Sequence, residues 1–256
     1  MGNGSRCSYP LSYSLVQNEV GCRSLPPMSP AGPSPDWSQI ATVLFDMDGT
    51  LLDLRFDNHF WQEHLPRRYA AHLDLPFEDV RDRLVRCFRS AEGTLDWYCV
   101  DHWSGTLGVD IPALKTEVAE LIGWRPHAQT LLRWLRACGK RLILVTNAHP
   151  KTMDIKFART GLGDAFDEIV CAHDVGYPKE DPRFWPRFAA QVSFERAHSL
   201  LIDDSLPVLR AAQQYGIEHI RAIRRPDSGL PEKDCGDFVA IGSFEELLPP
   251  GAESVG

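Results

Sequence analysis

The run Ala41-Thr42-Val43-Leu44-Phe45 passes directly into Asp46-Met47-Asp48-Gly49-Thr50, and this junction decides the fold. A short, nearly continuous apolar run that ends in an acidic, glycine-containing turn predicts a strand covered on both faces, as in a parallel sheet. Residues two apart on an extended segment share a face, so Asp46 and Asp48 leave the carboxyl end of the strand together, where such sheets present a ligand crevice. Two carboxylates this close repel each other unless a cation or a shared proton intervenes. The pair therefore predicts either a divalent metal or carboxyls with split pKa values. For an Asp-x-Asp taken alone, an acidic turn after a strand is the plainer alternative, and the rest of the chain decides between them.

Outward from this junction, further apolar runs at 141–145, 168–172, 199–202 and 217–223 predict strands. Helical patterns at 130–138, 151–160 and 206–215 stop at Gly139, Gly161 and Gly216, each a natural helix end. Strands alternating with helices predict a Rossmann-like, doubly wound parallel α/β sheet. The first connection is far too long, because a strand-helix-strand unit needs only about 30 residues, whereas here the interval runs from residue 46 to residue 140. We read 56–124 as an inserted helical cap, with helix-compatible stretches at 78–91 and 111–121. Its aromatics Trp61, Tyr69, Phe88, Trp97, Tyr98 and Trp103 are expected mostly in the cap's own core. Residues 39–55 and 125–256 then form the α/β core. Residues 1–38, with Pro10, Pro26, Pro27, Pro30, Pro33 and Pro35 among Ser and Gly, read as a flexible tail.

Composition narrows the function. A chain of 256 residues, 43% hydrophobic, can bury a substantial core. A formal charge of -8 argues against polymeric nucleic acid and anionic membrane as partners, since both call for a basic surface. A small phosphate ligand stays compatible, provided a bound cation or a few placed basic residues supply a local positive centre. The seven cysteines are scattered and never spaced Cys-x-x-Cys, so neither a zinc nor a disulfide framework is expected. With no apolar run of membrane-spanning length and no secretory leader pattern, a cytoplasmic enzyme is expected.

Each remaining strand end carries a useful polar group. Thr146-Asn147-Ala148-His149-Pro150 places a hydroxyl beside a helix start, which suits an anion site or, equally, a simple helix cap. Lys179 stands in the turn Gly176-Tyr177-Pro178-Lys179-Glu180-Asp181, and Asp203-Asp204 closes the fourth strand. Acidic pairs converging on one sheet edge are mutually destabilising without a cation, and carboxylate oxygens are the ligands Mg²⁺ prefers.

Taken in order, Asp46-x-Asp48-Gly49-Thr50, Thr146, Lys179 and Asp203-Asp204 resemble the signatures of the haloacid dehalogenase superfamily, over residues 40–248. The runs around residues 46–58, Trp97-Tyr98-Cys99 with Trp103-Ser104, 146–150, 176–181 and Pro226-Asp227-Ser228-Gly229 are similar to the bacterial GMP/IMP nucleotidase branch. The resemblance implies an aspartyl-phosphate mechanism, with Asp46 as nucleophile and Asp48 as general acid and base. It implies Mg²⁺ held by Asp46, the backbone carbonyl of Asp48, Asp204 and Asp203, and a phosphoryl group held by Thr146, Asn147 and Lys179. The implied substrate is a small phosphomonoester, a purine nucleoside 5'-monophosphate. A sugar-phosphate phosphatase or phosphomutase keeps the same signatures, and a phospholigand-binding protein that has lost catalysis is the non-enzymatic alternative. Cap residues set the substrate, and Phe56-Asp57-Asn58 is one candidate run for facing it. Two departures from the branch are the long N-terminal tail and Pro186, which falls within a helix expected over 182–191.

Overall fold

The computed structural model describes residues 34–249. Six strands, β1 (Thr42–Phe45), β2 (Arg141–Thr146), β3 (Glu168–Cys171), β4 (Ser199–Asp203), β5 (His219–Ile223) and β6 (Ala240–Ile241), form one sheet in the order β3-β2-β1-β4-β5-β6. Every pairing is parallel. β6 is absent from the sequence reading because its two residues are defined by pairing with Ala222 and Ile223 rather than by a run of their own. The chain winds from β1 outward to β2 and β3, then returns to β4 on the other side. The winding direction therefore reverses between β1 and β4, which is where open α/β sheets form their crevice.

Between β1 and β2 lie α1 (Arg55–His59), continuing through a π-helical turn at Phe60–His64 into α2 (Leu65–Leu73), then α3 (Phe77–Arg89), α4 (Leu95–Tyr98), α5 (Val100–Leu107) and α6 (Ile111–Thr116). The α/β alternation then resumes with α7 (Ala128–Ala137), α8 (Pro150–Thr160), α9 (Ala172–Val175), α10 (Phe184–Gln191) and α11 (Leu206–Tyr215). The helix expected over 111–121 is shorter than its pattern. Asp110 caps α6 by accepting the Ala113 N–H at 3.0 Å, but Val118 leaves helical geometry with φ −123°, and only a 3-10 turn, Ala119–Leu121, follows. Pro186 is accommodated because α10 begins at Phe184. The proline sits in the first turn, where its missing N–H has no intrahelical partner to lose.

Alternation along the strands divides the core between the two sheet faces. Val43, Phe45, Leu142, Leu144, Leu200 and Ile202 pack with Leu131 and Leu135 of α7. Leu44, Ile143, Val145 and Leu201 pack with Phe184, Trp185 and Phe188 of α10 and with Val208 and Leu209 of α11.

The tail assigned to 1–38 lies outside the described residues as far as residue 33, but its last residues are docked. Trp37 donates its indole N–H to the Leu247 carbonyl at 3.0 Å and packs edge-on against Trp134 at 5.3 Å. Lys140 ties down the Trp37 and Ile40 carbonyls, each at 2.7 Å. A large ring with a satisfied donor gains more against the core than in water.

Phe188 is fully buried, stacked on Phe184 at 5.7 Å and edge-on to Trp185 at 5.9 Å. Phe188→Ala should destabilise the fold by about 3–5 kcal/mol, read as a lower urea midpoint with an unchanged slope.

Candidate active site

Register assembles the site. Phe45 pairs with Leu144 on one side and Ile202 on the other, so the next residue, Asp46, stands level with Val145 and Asp203. The Asp46 N–H extends the ladder to the Ile202 carbonyl at 3.0 Å. The carboxylates of Asp46, Asp203 and Asp204, all buried, offer oxygens within 4.8 Å of one another. Gly49 permits this closeness. Its φ is +82°, and a Cβ there would lie 2.9 Å from both Asp204 Cγ and Pro226 Cβ.

Lys179 is the positive centre, buried to 2% exposure. Its ammonium donates to Asp46 Oδ1 at 2.6 Å, Asp203 Oδ2 at 2.6 Å and the Val145 carbonyl at 3.0 Å, which uses every proton it has. Asn147 braces this lysine: its Oδ1 accepts the Lys179 backbone N–H at 2.9 Å, and its Nδ2 donates to Glu180 Oε2 at 2.9 Å. Tyr98 of α4 donates to the other Glu180 oxygen at 2.9 Å, so the inserted helices touch the same bracket. Thr146 Oγ1 accepts the Ala148 N–H at 3.0 Å, and its own proton has no acceptor among the described residues. Asp203 Oδ1 accepts the Ser205 N–H at 2.8 Å, and Asp204 Oδ2 accepts from Lys233 at 3.0 Å.

Asp48 belongs to a second chain of charges, its lysines buried and its carboxylates partly so. Lys156 of α8 donates to Asp48 Oδ1 at 2.5 Å and to Asp57 Oδ2 at 2.6 Å, and Lys115 of α6 donates to Asp57 Oδ1 at 2.8 Å. Both lysines are 1% exposed. The Lys115 ammonium also faces the rings of Phe60 at 4.5 Å, Phe56 at 4.9 Å and Trp61 at 5.3 Å. Signs alternate along the chain, so each buried charge is compensated, which is the condition for burying it at all. Neither lysine is marked as functional by the sequence. Its one hint is that Lys156 shares the inward face of α8 with Thr152 and Met153, where a lysine is out of place.

Burial sets the acidities. It pushes Asp46 up to about 7, helped by the charges of Asp203 and Asp204 and opposed by Lys179. Asp48 is likewise raised by burial to about 7, opposed by Lys156 and helped by Asp57 and Asp46. Burial acts on Asp57 in the same direction, but Lys115 and Lys156 outweigh it and hold that carboxyl at about 2. An oxygen-only donor set whose mutual repulsion one lysine does not cancel fits a hard divalent cation such as Mg²⁺.

Asp46, Asp48, Thr146, Asn147, Lys179, Asp203 and Asp204 all line one cavity of about 360 Å³. Asp57 and Asn58 line it too, and Asn58 is fixed by donating to Asp227 Oδ2 at 2.6 Å. Phe56 packs behind them. As expected, the aromatics of the insertion serve mostly as core, with Phe88 and Trp103 buried in it and Trp61, Tyr69 and Trp97 packed against it; Trp61, Phe88, Trp97, Tyr98 and Trp103 also line the cavity, and of the named set only Tyr69 does not. Edge-to-face packing of Phe88 against Trp61 at 5.3 Å and Trp103 at 4.9 Å makes the same rings both core and wall.

A doubly wound sheet with clustered carboxylates at its switch point, roofed by helices inserted after its first strand, defines an α/β enzyme built for a small anionic substrate. Residues 40–216 match the haloacid dehalogenase-like hydrolase family. The chain is 39% identical over 213 residues to the GMP/IMP nucleotidase YrfG of Escherichia coli (strain K12), covering 83% of this chain and 96% of that protein. It is 21% identical over 220 residues to the glyceraldehyde 3-phosphate phosphatase of Methanocaldococcus jannaschii, covering 82% and 96%. Its fold superimposes on that of a HAD phosphatase from Thermococcus onnurineus with a TM-score of 0.67, at 24% identity and with 81% and 96% covered. The chain belongs to the haloacid dehalogenase-like hydrolase family, and it is a hydrolase of phosphoric monoesters. Among the described residues no helix is long and apolar enough to cross a membrane.

Gly49→Ala forces a side chain into left-handed backbone against Asp204 and Pro226. It should cost about 1–3 kcal/mol and most of the phosphatase activity, measured by urea unfolding and phosphate release. The Asp57 carboxyl, depressed to about 2 from 3.8, contributes stability that is fully present above pH 3.8 and lost as pH falls through 2. That component, about 2 kcal/mol, should be absent from the acid limb of Asp57→Asn when stability is compared across that range.

Proposed function

We propose that this chain is a Mg²⁺-dependent phosphatase of purine nucleoside 5'-monophosphates, GMP and IMP in particular, acting through an aspartyl phosphate in the cytoplasm. The observation that carries the chemistry is the gathering of Asp46, Asp203, Asp204 and Lys179 about one buried point. The likeness to a GMP/IMP nucleotidase supports the substrate. So does an aromatic-walled cavity of about 360 Å³, a size within the range of small-molecule sites, whose tryptophan and phenylalanine faces suit a purine ring.

Asp46 attacks phosphorus, and the bond to the nucleoside 5'-oxygen breaks as the acyl phosphate forms. Dividing the displacement into two steps lowers each barrier. Asp48 gives its proton to the departing alkoxide and then takes one from the water that cleaves the acyl phosphate, releasing inorganic phosphate. A carboxyl held near 7 by burial is matched to both duties at neutral pH. Lys156 aims that carboxyl and limits how far its acidity falls. Lys179 exchanges one of its carboxylate contacts for a non-bridging phosphoryl oxygen, where the proton of Thr146 and the N–H groups of Met47 and Asn147, which donate to no described residue, complete the cradle. Asn147 thus acts through its backbone, because its side-chain amide is engaged in bracing Lys179 and Glu180. Asp46, Asp203 and Asp204, with the Asp48 carbonyl, would hold Mg²⁺, which when bound offsets the repulsion between carboxylate and phosphate.

Phosphate release from GMP, IMP, AMP, sugar phosphates and phosphoglycolate, with and without EDTA, tests this. Turnover should favour the 6-oxopurine nucleotides and stop with EDTA. Asp46→Asn should form no phosphoenzyme in a rapid acid quench, whereas Asp48→Asn should form it slowly and retain it. Activity that persists in EDTA or in Asp46→Asn refutes the mechanism, and a preference for sugar phosphates refutes only the substrate.

A further inference from the structure

Apart from the aspartates, a second set of metal-binding atoms converges where the inserted helices meet the core. Cys99 joins α4 to α5, His149 precedes α8 and His173 lies in α9, and one ligand atom from each lies within 4.8 Å of the others. All three are partly buried. The reaction above uses none of them, and their separation along the chain explains why cysteine spacing carries no trace of the cluster.

The surroundings favour a ligand. His173 has its Nδ1 beside the Cys171 thiol at 3.5 Å, and that thiol also donates to the Ala148 carbonyl at 3.1 Å. Its Nε2 is buried without a hydrogen-bond partner. The Leu95 carbonyl favours the charged ring without completing such a bond. One ring nitrogen supported and the other open is the usual disposition of a ligating imidazole. His149 meets His173 edge to face at 5.0 Å, and its Nε2 is 3.8 Å from Asp101 Oδ2. Burial lowers the pKa of both histidines, which keeps them in the neutral form that binds metals.

We propose that Cys99, His149 and His173 form a second metal site that takes a borderline-soft divalent cation of the zinc class. Sulfur and imidazole donors suit Zn²⁺, with bonds of about 2.3 Å to sulfur and about 2.0–2.1 Å to nitrogen, so side-chain rotation has to draw the three atoms inward. The Cys99 thiol proton leaves to solvent as the thiolate binds, and Asp101 or water completes the coordination. The two sites sort ions by donor type, hard cations to the carboxylates and softer ones to sulfur and nitrogen. Because Cys99 belongs to the insertion and both histidines to the core, the ion fastens one to the other at the cavity wall that His149 also lines.

The test uses full-length reduced protein with excess Mg²⁺ to fill the carboxylate cluster, titrated with Zn²⁺ by calorimetry and with Co²⁺ by absorption. The expected result is one ion per chain, proton release and a thiolate-to-cobalt charge-transfer band. Cys99→Ser keeps an acceptor for the His102 N–H, now 3.3 Å from the sulfur. It should nonetheless abolish the band and weaken Zn²⁺ by at least roughly tenfold, the usual cost of losing even an outer-shell partner. His173→Gln should weaken Zn²⁺ comparably, and Asp204→Asn should leave both readouts unchanged. No Zn²⁺ uptake, a band that survives Cys99→Ser, or Zn²⁺ binding lost in Asp204→Asn but kept in Cys99→Ser overturns the proposal, whatever the fate of the nucleotide reading.

Discussion

Carboxylates that parallel pairing forces together at the ends of fully buried strands are the constraint from which the rest of the site follows. Once Phe45 is in register with Ile202, Asp46 and Asp203 cannot avoid each other, and burial makes their repulsion severe. Lys179 relieves it by donating to both. A buried lysine must in turn be aimed, which occupies Asn147, then Glu180, then Tyr98. A requirement set at the tip of β1 is thereby passed by hydrogen bonds to a helix of the insertion. Burial above all, with the charges of Asp203 and Asp204 adding to it, raises the pKa of Asp46, and in the proposed mechanism a bound cation offsets the repulsion that remains.

The Asp48, Lys156, Asp57 and Lys115 chain solves the same problem by another route. It is an alternating row of charges that crosses from the core to the insertion. Its two carboxyls diverge although burial acts on both. Asp57, between two lysines, is held near 2, whereas Asp48, with one lysine and two acidic neighbours, rises to about 7. Environment alone sets the two carboxyls apart, and it is the raised one, Asp48, to which the proposed mechanism gives proton transfer. Removal of a single member would leave a buried charge unpaired, and at the Lys115 end the row meets the ring faces of Phe56, Phe60 and Trp61.

Much of the fold was legible because period and punctuation are local properties. Apolar runs, glycine stops and the overlong first connection located the strands β1 to β5 and the insertion, and the carboxylates and Lys179 stood out as polar residues at apolar strand ends. Lys156 and Lys115 were not legible, since a lysine on a helix is ordinarily solvated and only the packed seam shows that these two are enclosed. The aromatics of the insertion are core, as their hydrophobicity implies, but their second role as cavity wall was not legible for a related reason. Hydrophobicity marks a ring as buried but does not say whether one of its faces is left toward a cavity. The docking of Trp37 and the brevity of α6 likewise depend on partners far away in the chain.

Residue order and short-range pattern are enough to set the alternation of strands and helices, the placement of Asp46, Asp48, Thr146, Lys179, Asp203 and Asp204 at strand ends and turns, and membership of a phosphatase family. Which atoms those groups touch is a matter of the folded chain. It committed Lys179 to two carboxylates, committed the Asn147 amide to a brace, paired Asp48 with Lys156, and brought Cys99, His149 and His173 together. The physical reason is that charge, burial and hydrogen bonding act through distance in space, and the distances that matter here join residues widely separated along the chain.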